Sequence, residues 1–208
     1  MVEIIQKYFP NLTTKQQLQF EQLDALYRDL NTKINVISRK DIDNLYEHHV
    51  LHSLAIAKAV EPIAGSKVLD FGTGGGFPGI PLAIMFPQVH FRLIDGTGKK
   101  IKVAKQVAQS IELKNVEAIH LRGEEEKGKY DFIVSRAVMP LPDLMKIIRK
   151  NMCTTHRKEQ PNGLYCLKGG DLTEETKTFS KTIKITNLSS WFEEDWFKQD
   201  KKLIYIPF

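Results

Sequence analysis

Asp70-Phe71-Gly72-Thr73-Gly74-Gly75-Gly76-Phe77-Pro78-Gly79 is the stretch on which the fold turns. Just before the glycines, Lys67–Phe71 reads as a short strand, apolar apart from its first residue and Asp70. Residues 79–86 read as a helix, with Pro78 or Pro81 suited to its first turn. Gly72, Gly74 and Gly76 let the chain turn tightly and let its backbone approach a ligand with no Cβ in the way. The helix that follows aims its free N–H groups at the same spot. A strand, a glycine loop and a helix in this order predict a ligand-binding turn at one edge of an α/β sheet.

Working outward, the same alternation recurs. Residues 90–94 read as a strand and 99–111 as a helix; 116–121 and 130–135 read as further strands, the latter followed by a helix over 141–150. This spacing means βαβ units and a parallel sheet. Residues 164–167 suit a fifth strand, 172–179 a short helix, and 182–188 with 203–206 a terminal antiparallel hairpin. Upstream, the chain reads as helical. Thr13 or Thr14 can cap a helix running through Leu18, Leu23, Leu26 and Leu30, and a second helical stretch covers 43–59, with Leu45, Val50, Leu54 and Ile56. Between them, 31–40 reads as a turn carrying Arg39 and Lys40. The expected division is a helical cap over 1–62 and an α/β domain over 63–208.

Composition bounds the function classes. The 208 residues carry 30 Lys and Arg against 25 Asp and Glu, a formal charge of +5. That mild excess permits a polyanionic partner without requiring one. Apolar residues make up 42% and charged residues 26%, the balance of an ordinary globular chain. Two cysteines, Cys153 and Cys166, make neither a disulfide framework nor a four-cysteine zinc site, and a reducing cytoplasmic setting is the simplest expectation. The first ten residues lack the apolar core of a secretory signal, and the longest apolar stretch, around 80–86, is far too short to span a bilayer.

Two ligands compete for the glycine loop. Gly74-x-Gly76-x-x-Gly79 matches the dinucleotide fingerprint, and Asp95 lies nineteen residues beyond Gly76 at a strand end, where an acid takes ribose hydroxyls. S-adenosylmethionine also carries an adenosine ribose but no pyrophosphate, and its ammonium group favours a carboxylate beside the loop, such as Asp70. A dinucleotide calls for two mononucleotide-binding halves, and no second glycine loop occurs. Asp95 could instead be a plain helix cap. A phosphate loop of the Walker type is excluded, because no Gly-Lys-Ser/Thr follows. Arg122-Gly123-Glu124 after the third strand would flank an adenine, although 124–126 alone reads as a solvated acidic turn.

With its leading acid, the loop resembles the first motif of class I methyltransferases. The fourth strand ends Val134-Ser135-Arg136-Ala137, without the D/N-P-P-Y type sequence of exocyclic-amine methyltransferases. Cys166 stands in Tyr165-Cys166-Leu167-Lys168-Gly169-Gly170 without the proline-cysteine site that carbon-5 methylation uses, so burial in a strand is its expected role. Seven segments then resemble the bacterial RsmG/GidB family, methyltransferases of guanine N7 in 16S ribosomal RNA. They are Asn35-Val36-Ile37-Ser38-Arg39, His49-Val50-Leu51-His52-Ser53-Leu54, the loop through Pro81, Leu93-Ile94-Asp95-Gly96-Thr97-Gly98-Lys99-Lys100, Arg122-Gly123-Glu124, Ser135-Arg136-Ala137 and Leu167-Lys168-Gly169.

The resemblance implies a Rossmann-like class I methyltransferase sheet with an N-terminal helical cap. It also implies S-adenosylmethionine as cofactor, and 16S ribosomal RNA or the small-subunit particle as partner; the cytoplasmic expectation stands beside it, and a monomer is favoured while the sequence leaves the oligomeric state open. It places cofactor contacts on Gly72, Phe77, Gly123, Glu124 and Arg136, beside Asp70, Gly74 and Asp95 from the reading above. Arg39, Arg136 and Lys168 are the candidates for the RNA side. His156, Arg157 and Lys158 in the polar loop 151–162 are further candidates for phosphate contact, whereas the lysines of 99–105 suit a solvated helix face. Guanine N7 has a free lone pair and no proton at neutral pH, so no catalytic base is expected; Arg136 and Lys168 would act by positioning. This chain has His48-His49-Val50-Leu51-His52-Ser53 where the family usually shows Arg-His-x-x-Asp-Ser. His48 and His52, four residues apart, lack a third partner for a metal, and none is expected. A nicotinamide-dependent oxidoreductase and a non-catalytic RNA-binding protein are the alternative readings.

Overall fold

The computed structural model describes residues 2–155, 161–179 and 181–208. His156, Arg157 and Lys158 therefore lie outside the described residues.

Seven strands form one sheet: β1 (Lys67–Phe71), β2 (His90–Asp95), β3 (Val116–His120), β4 (Phe132–Arg136), β5 (Gly163–Gly169), β6 (Lys184–Asn187) and β7 (Lys201–Pro207). Their order is β3-β2-β1-β4-β5-β7-β6. The first five run parallel, and β7 inserts antiparallel between β5 and β6. The expected terminal hairpin is present, but its strands are joined by short helical turns over Leu188–Ser190 and Asp195–Lys198.

The strand sequences show why the sheet is buried on both faces. Val68, Phe132, Val134, Tyr165 and Leu167 join the core on one side, while Leu69, Ile133, Leu164 and Cys166 join the core on the other. Alternate residues point to opposite faces, so near-continuous apolar runs fill both layers. Cys166 is wholly buried, as expected, and burial pushes its thiol up to about 12.

The helices α4 (Gly79–Met85) and α5 (Gly98–Ser110) pack on the first face; α6 (Leu141–Ile148) packs on the second, with the short α7 (Thr173–Thr176) beside it. The upstream helices cover the first face: α1 (Glu3–Tyr8), α2 (Thr14–Lys33) and α3 (His52–Ala59). Thr13 caps α2 through a reciprocal box with Gln16. The buried stripe of α2 departs from the leucine pattern. Leu18 is 52% exposed, and the stripe runs through Phe20, Leu23, Tyr27 and Leu30. At 3.6 residues per turn Leu18 falls on the side of α2 opposite this stripe, which is why it faces outward.

The second helical stretch is not one regular helix. A 3-10 turn over Ile42–Asn44 leads into a wide π-turn over Leu45–Leu51, and only then into α3. The cap and the sheet share one continuous apolar cluster, so the change near residue 62 is a change of architecture and not a gap in packing.

One contact ties the cap to the glycine loop. The wholly buried Tyr27 donates its hydroxyl to the Gly75 carbonyl at 2.9 Å. A Cβ on Gly75 would sit 2.8 Å from Val36, so the loop approaches the cap only as glycine. Tyr27→Phe removes the donor and leaves that carbonyl short of a partner. It is expected to cost about 1–2 kcal/mol in urea unfolding; an unchanged midpoint would remove this bond from the account.

Candidate active site

Strand order reverses between β1 and β4, which places a crevice at their carboxyl ends, the general ligand position in open α/β sheets. Three predicted residues stand at these strand ends, although the Arg136 side chain does not line the cleft that opens there. Gly72 follows β1, Asp95 ends β2, and Arg136 ends β4. A cleft of about 290 Å³ opens between Phe71, Gly72, Asp95, the 122–124 turn, Val138 and Met139.

Asp70 organises the loop from beneath. Its carboxyl is wholly buried; Oδ2 accepts from the Thr73 hydroxyl at 2.5 Å and from the Gly79 amide at 2.7 Å. Oδ1 has no partner among the described residues. Burial raises this acid to about 7, against the Thr73 and Gly79 bonds and the Arg136 charge, all of which favour the ionised form.

Asp95 carries out a cap-like task and a loop-bracing task together. Oδ1 accepts from the Thr97 amide at 2.7 Å, just before α5, and Oδ2 accepts from the Gly74 amide at 2.9 Å. Gly74 has φ of +57°, and a Cβ there would meet nothing within 4 Å, so this bend faces open space. Each Asp95 oxygen keeps an unused lone pair toward the cleft-side solvent. Gly123 packs directly on the Phe71 ring, where a Cβ would overlap it at 2.1 Å, and Glu124 beside it is exposed. Glu125 is exposed too, as a solvated turn requires, but the last acid of the run departs from that expectation: Glu126 is buried, its carboxylate bonded to Arg92 at 2.7 Å and to the Gly128 amide.

Phe77 lies apart from this cleft. It is buried against Tyr27, with ring centres 4.8 Å apart, and the Arg136 guanidinium stands 5.1 Å above its ring. Arg136 is half-buried and reaches into the cap. It donates to the His48 carbonyl at 3.2 Å and lies 3.1 Å from His49 Nδ1. Burial lowers it to about 10, although Asp70, Tyr27 and Asp41 oppose that shift.

The histidines that the sequence left without a role belong to this cluster. Asp41, from the loop before the π-turn, bonds His48 Nδ1 at 2.5 Å and His49 Nε2 at 2.6 Å. Burial alone would raise the Asp41 carboxyl, and the two histidine bonds outweigh it, holding it below its ordinary range. His52 turns away, buried at the edge of Trp196, and burial followed by the Arg136 and Lys201 charges depresses it. Trp196 also stacks on His48 at 4.3 Å. Thus His48 and His52 both pack on the Trp196 indole, His48 on its face and His52 across its edge. Tyr27 and Trp196 are not legible as site residues because their partners come from distant segments, and Asp41 is not because its histidines lie seven and eight residues on, across an irregular turn.

Lys168 and Arg39 fare differently. Lys168 is nearly buried, donating to the Met139 carbonyl at 2.9 Å and pairing with Glu175 at 2.6 Å. Glu175 also accepts from the Leu141 amide, so this pair braces the loop after β4. Arg39 is exposed, on the rim of a shallow groove with Arg28, Asn31, Thr32 and Ile42.

The residues present fit S-adenosylmethionine. A buried acid with one unpartnered oxygen lies under the loop, and the acid that ends the second strand lines the cleft together with Gly72 and the 122–124 turn. Asp70 also makes a pH prediction. Its raised pKa contributes stability that is fully present below the ordinary value of 3.8 and lost as pH rises through about 7. Wild-type stability should therefore fall between pH 4 and pH 7 relative to Asp70→Asn, measured by urea unfolding; parallel pH profiles would contradict a buried, titrating Asp70.

Comparison with known proteins gives a consistent picture. A family model described as rRNA small subunit methyltransferase G, GidB, matches residues 16–203. The chain is 59% identical to the ribosomal RNA small subunit methyltransferase G of Bacteroides thetaiotaomicron, over 98% of each. It is 58% identical to the protein of that name from Phocaeicola vulgatus, over 99% of this chain and 98% of the relative. Among solved structures it is similar to a SAM dependent methyltransferase from Aquifex aeolicus, with TM-score 0.55, 16% identity, and 82% of this chain and 98% of that one covered. Aeropyrum pernix fibrillarin with natively bound S-adenosyl-L-methionine matches with TM-score 0.53 and 14% identity, over 75% of this chain and 73% of that one. These two likenesses are of fold.

Proposed function

The chain belongs to the GidB family, rRNA small subunit methyltransferase G, and from that premise we propose how its residues serve methyl transfer to guanine N7 of 16S ribosomal RNA. The protein is an S-adenosylmethionine-dependent rRNA methyltransferase with a class I Rossmann-like sheet. Membership retires the nicotinamide reading. The observation that carries the site assignment is the convergence of the glycine loop, Asp95 and Arg136 at the carboxyl ends of β1, β2 and β4.

When bound, S-adenosylmethionine supplies an electrophilic methyl group on a sulfonium. Asp95 would take its ribose hydroxyls, Gly72 and Gly74 would admit its chain, and Gly123 with Glu124 would edge the adenine. Asp70 shapes the loop and keeps a carboxylate oxygen for a donor on its ligand. Guanine N7 brings its own lone pair and loses no proton, so the protein has to align and dehydrate the partners and has no base to provide. Arg136 suits that task. Its guanidinium has five N–H donors and no acceptor, and among the described residues no carboxylate lies within ion-pair distance of it. The remaining donors can hold a carboxylate or the guanine O6 edge.

On the RNA side, exposed Arg39 supports phosphate contact from the helical cap of residues 1–62. Lys168 supports the fold of the loop beside the site rather than a direct contact, given its pairing with Glu175. No helix among the described residues is long and apolar enough to cross a membrane. A monomer working in the cytoplasm on 16S RNA or its particle completes the proposal.

Two measurements test this reading. Purified protein with S-adenosylmethionine should install N7-methylguanine in 16S RNA taken from a strain lacking the gene; methylation at another atom, or none, defeats it. Asp95→Ala should weaken S-adenosylhomocysteine binding by about 1–3 kcal/mol, the loss of hydrogen bonds to a charged group. Unchanged affinity in calorimetry would remove Asp95 from the ribose role.

A further inference from the structure

We propose that His49, fixed in a single neutral tautomer, is the positioning residue that sets the Arg136 guanidinium for methyl transfer; this rests on the methyltransferase reading above. The tautomer follows from donor and acceptor chemistry. Arginine only donates, so the 3.1 Å contact from Arg136 Nη2 requires a bare, accepting Nδ1 on His49. The ring proton is then on Nε2, where it is donated to Asp41 Oδ2 at 2.6 Å. Asp41, His49 and Arg136 thus form one directional chain from the cap to the end of β4. The second Arg136 bond, to the His48 carbonyl, comes from the same π-turn, so the cap holds the guanidinium at two points over the Phe77 ring.

The surroundings keep this chain in one state. From its own turn His49 faces His48, and from the preceding loop Asp41. From β4 it faces Arg136, and from the glycine loop the Phe77 ring at 5.3 Å. His52, in the first turn of α3, is near enough for its charge and that of His49 to repel, while Lys201 stands over Trp196, which stacks on His48. Protonating Nδ1 would turn an N–H toward the guanidinium N–H and set two cations together. Burial and the Arg136 charge push His49 down to about 4 against the pull of Asp41, in keeping with a ring that stays neutral. His49 makes no hydrogen bond to Asp95 or to the 122–124 turn; its hydrogen bond toward the site is the one with Arg136, beside its ring contact with Phe77.

The test has a structural arm and a kinetic arm, both on the full chain. Nitrogen NMR of ¹⁵N-histidine-labelled protein should show His49 with a bare Nδ1 and a protonated Nε2 throughout pH 5–8. In Arg136→Met the ring should lose that preference and titrate nearer its ordinary range. In methyl transfer to 16S RNA, His49→Ala should lower kcat/KM about a hundredfold, the scale of a misplaced positioning group. His49→Asn, whose side-chain oxygen can accept from Arg136, should recover most of the loss. Circular dichroism checks that both variants fold, and the wild-type spectrum decides the tautomer if they do not. A protonated Nδ1, or titration in the ordinary histidine range, overturns the proposal. Equal kinetic effects of Ala and Asn overturn it too. Absence of methyl transfer by the wild type defeats the underlying reading instead, whatever the tautomer.

Discussion

A buried carboxyl group governs this structure. Asp70, next to last in β1, is wholly buried, and its Oδ2 accepts from the Thr73 hydroxyl and the Gly79 amide on either side of the glycine turn. Burying an acid is costly unless hydrogen bonds compensate. Here the bonds that compensate also fold the loop. Once the loop is set, the Gly74 amide meets Asp95 and α4 starts at Gly79, so β1, β2 and the first helix share one geometry. The cap completes it from above. Tyr27 takes the Gly75 carbonyl, and Val36 occupies the space a side chain on Gly75 would need.

The arrangement explains how a site can do chemistry without a visible acid or base. The nucleophile proposed for it, guanine N7, needs no deprotonation. What it needs is a dry, aligned approach, and the protein invests in rigid placement. Arg136 is a cation taken partly out of water and held by a carbonyl, a neutral histidine and an aromatic face. Leaving it without a carboxylate partner costs stability, and it keeps donors available for a ligand. The site is therefore a joint product of the sheet and the cap.

Much of this was legible in the sequence, and the reason is local. The glycine loop, its flanking strand and helix, and the alternation that follows are written in neighbouring residues, so the seven strands and the positions of Gly72, Asp95 and Arg136 emerge from pattern alone. What escaped depends on distant partners. Leu18 shares the leucine composition of α2 but is exposed, because the face of the helix that is buried is the opposite one, through Phe20 and Tyr27. Glu126 looks solvated beside two other acids, yet Arg92 from β2 draws it inside. The π-turn is invisible in the sequence, and the Asp41 bonds to His48 and His49 link residues seven and eight apart in a way no helical periodicity anticipates. The short α1 was missed for want of a capping signal, although its Ile5 is wholly buried.

The claim at the centre of this account is that the protein transfers a methyl group to guanine N7 by positioning alone, with no proton moved in the transition state. Single-turnover methyl transfer to 16S RNA, with the product followed at guanine N7 in parallel in H2O and D2O, tests it most directly. Equal rates in the two solvents are the predicted result. A rate severalfold slower in D2O would show a proton in flight and contradict it.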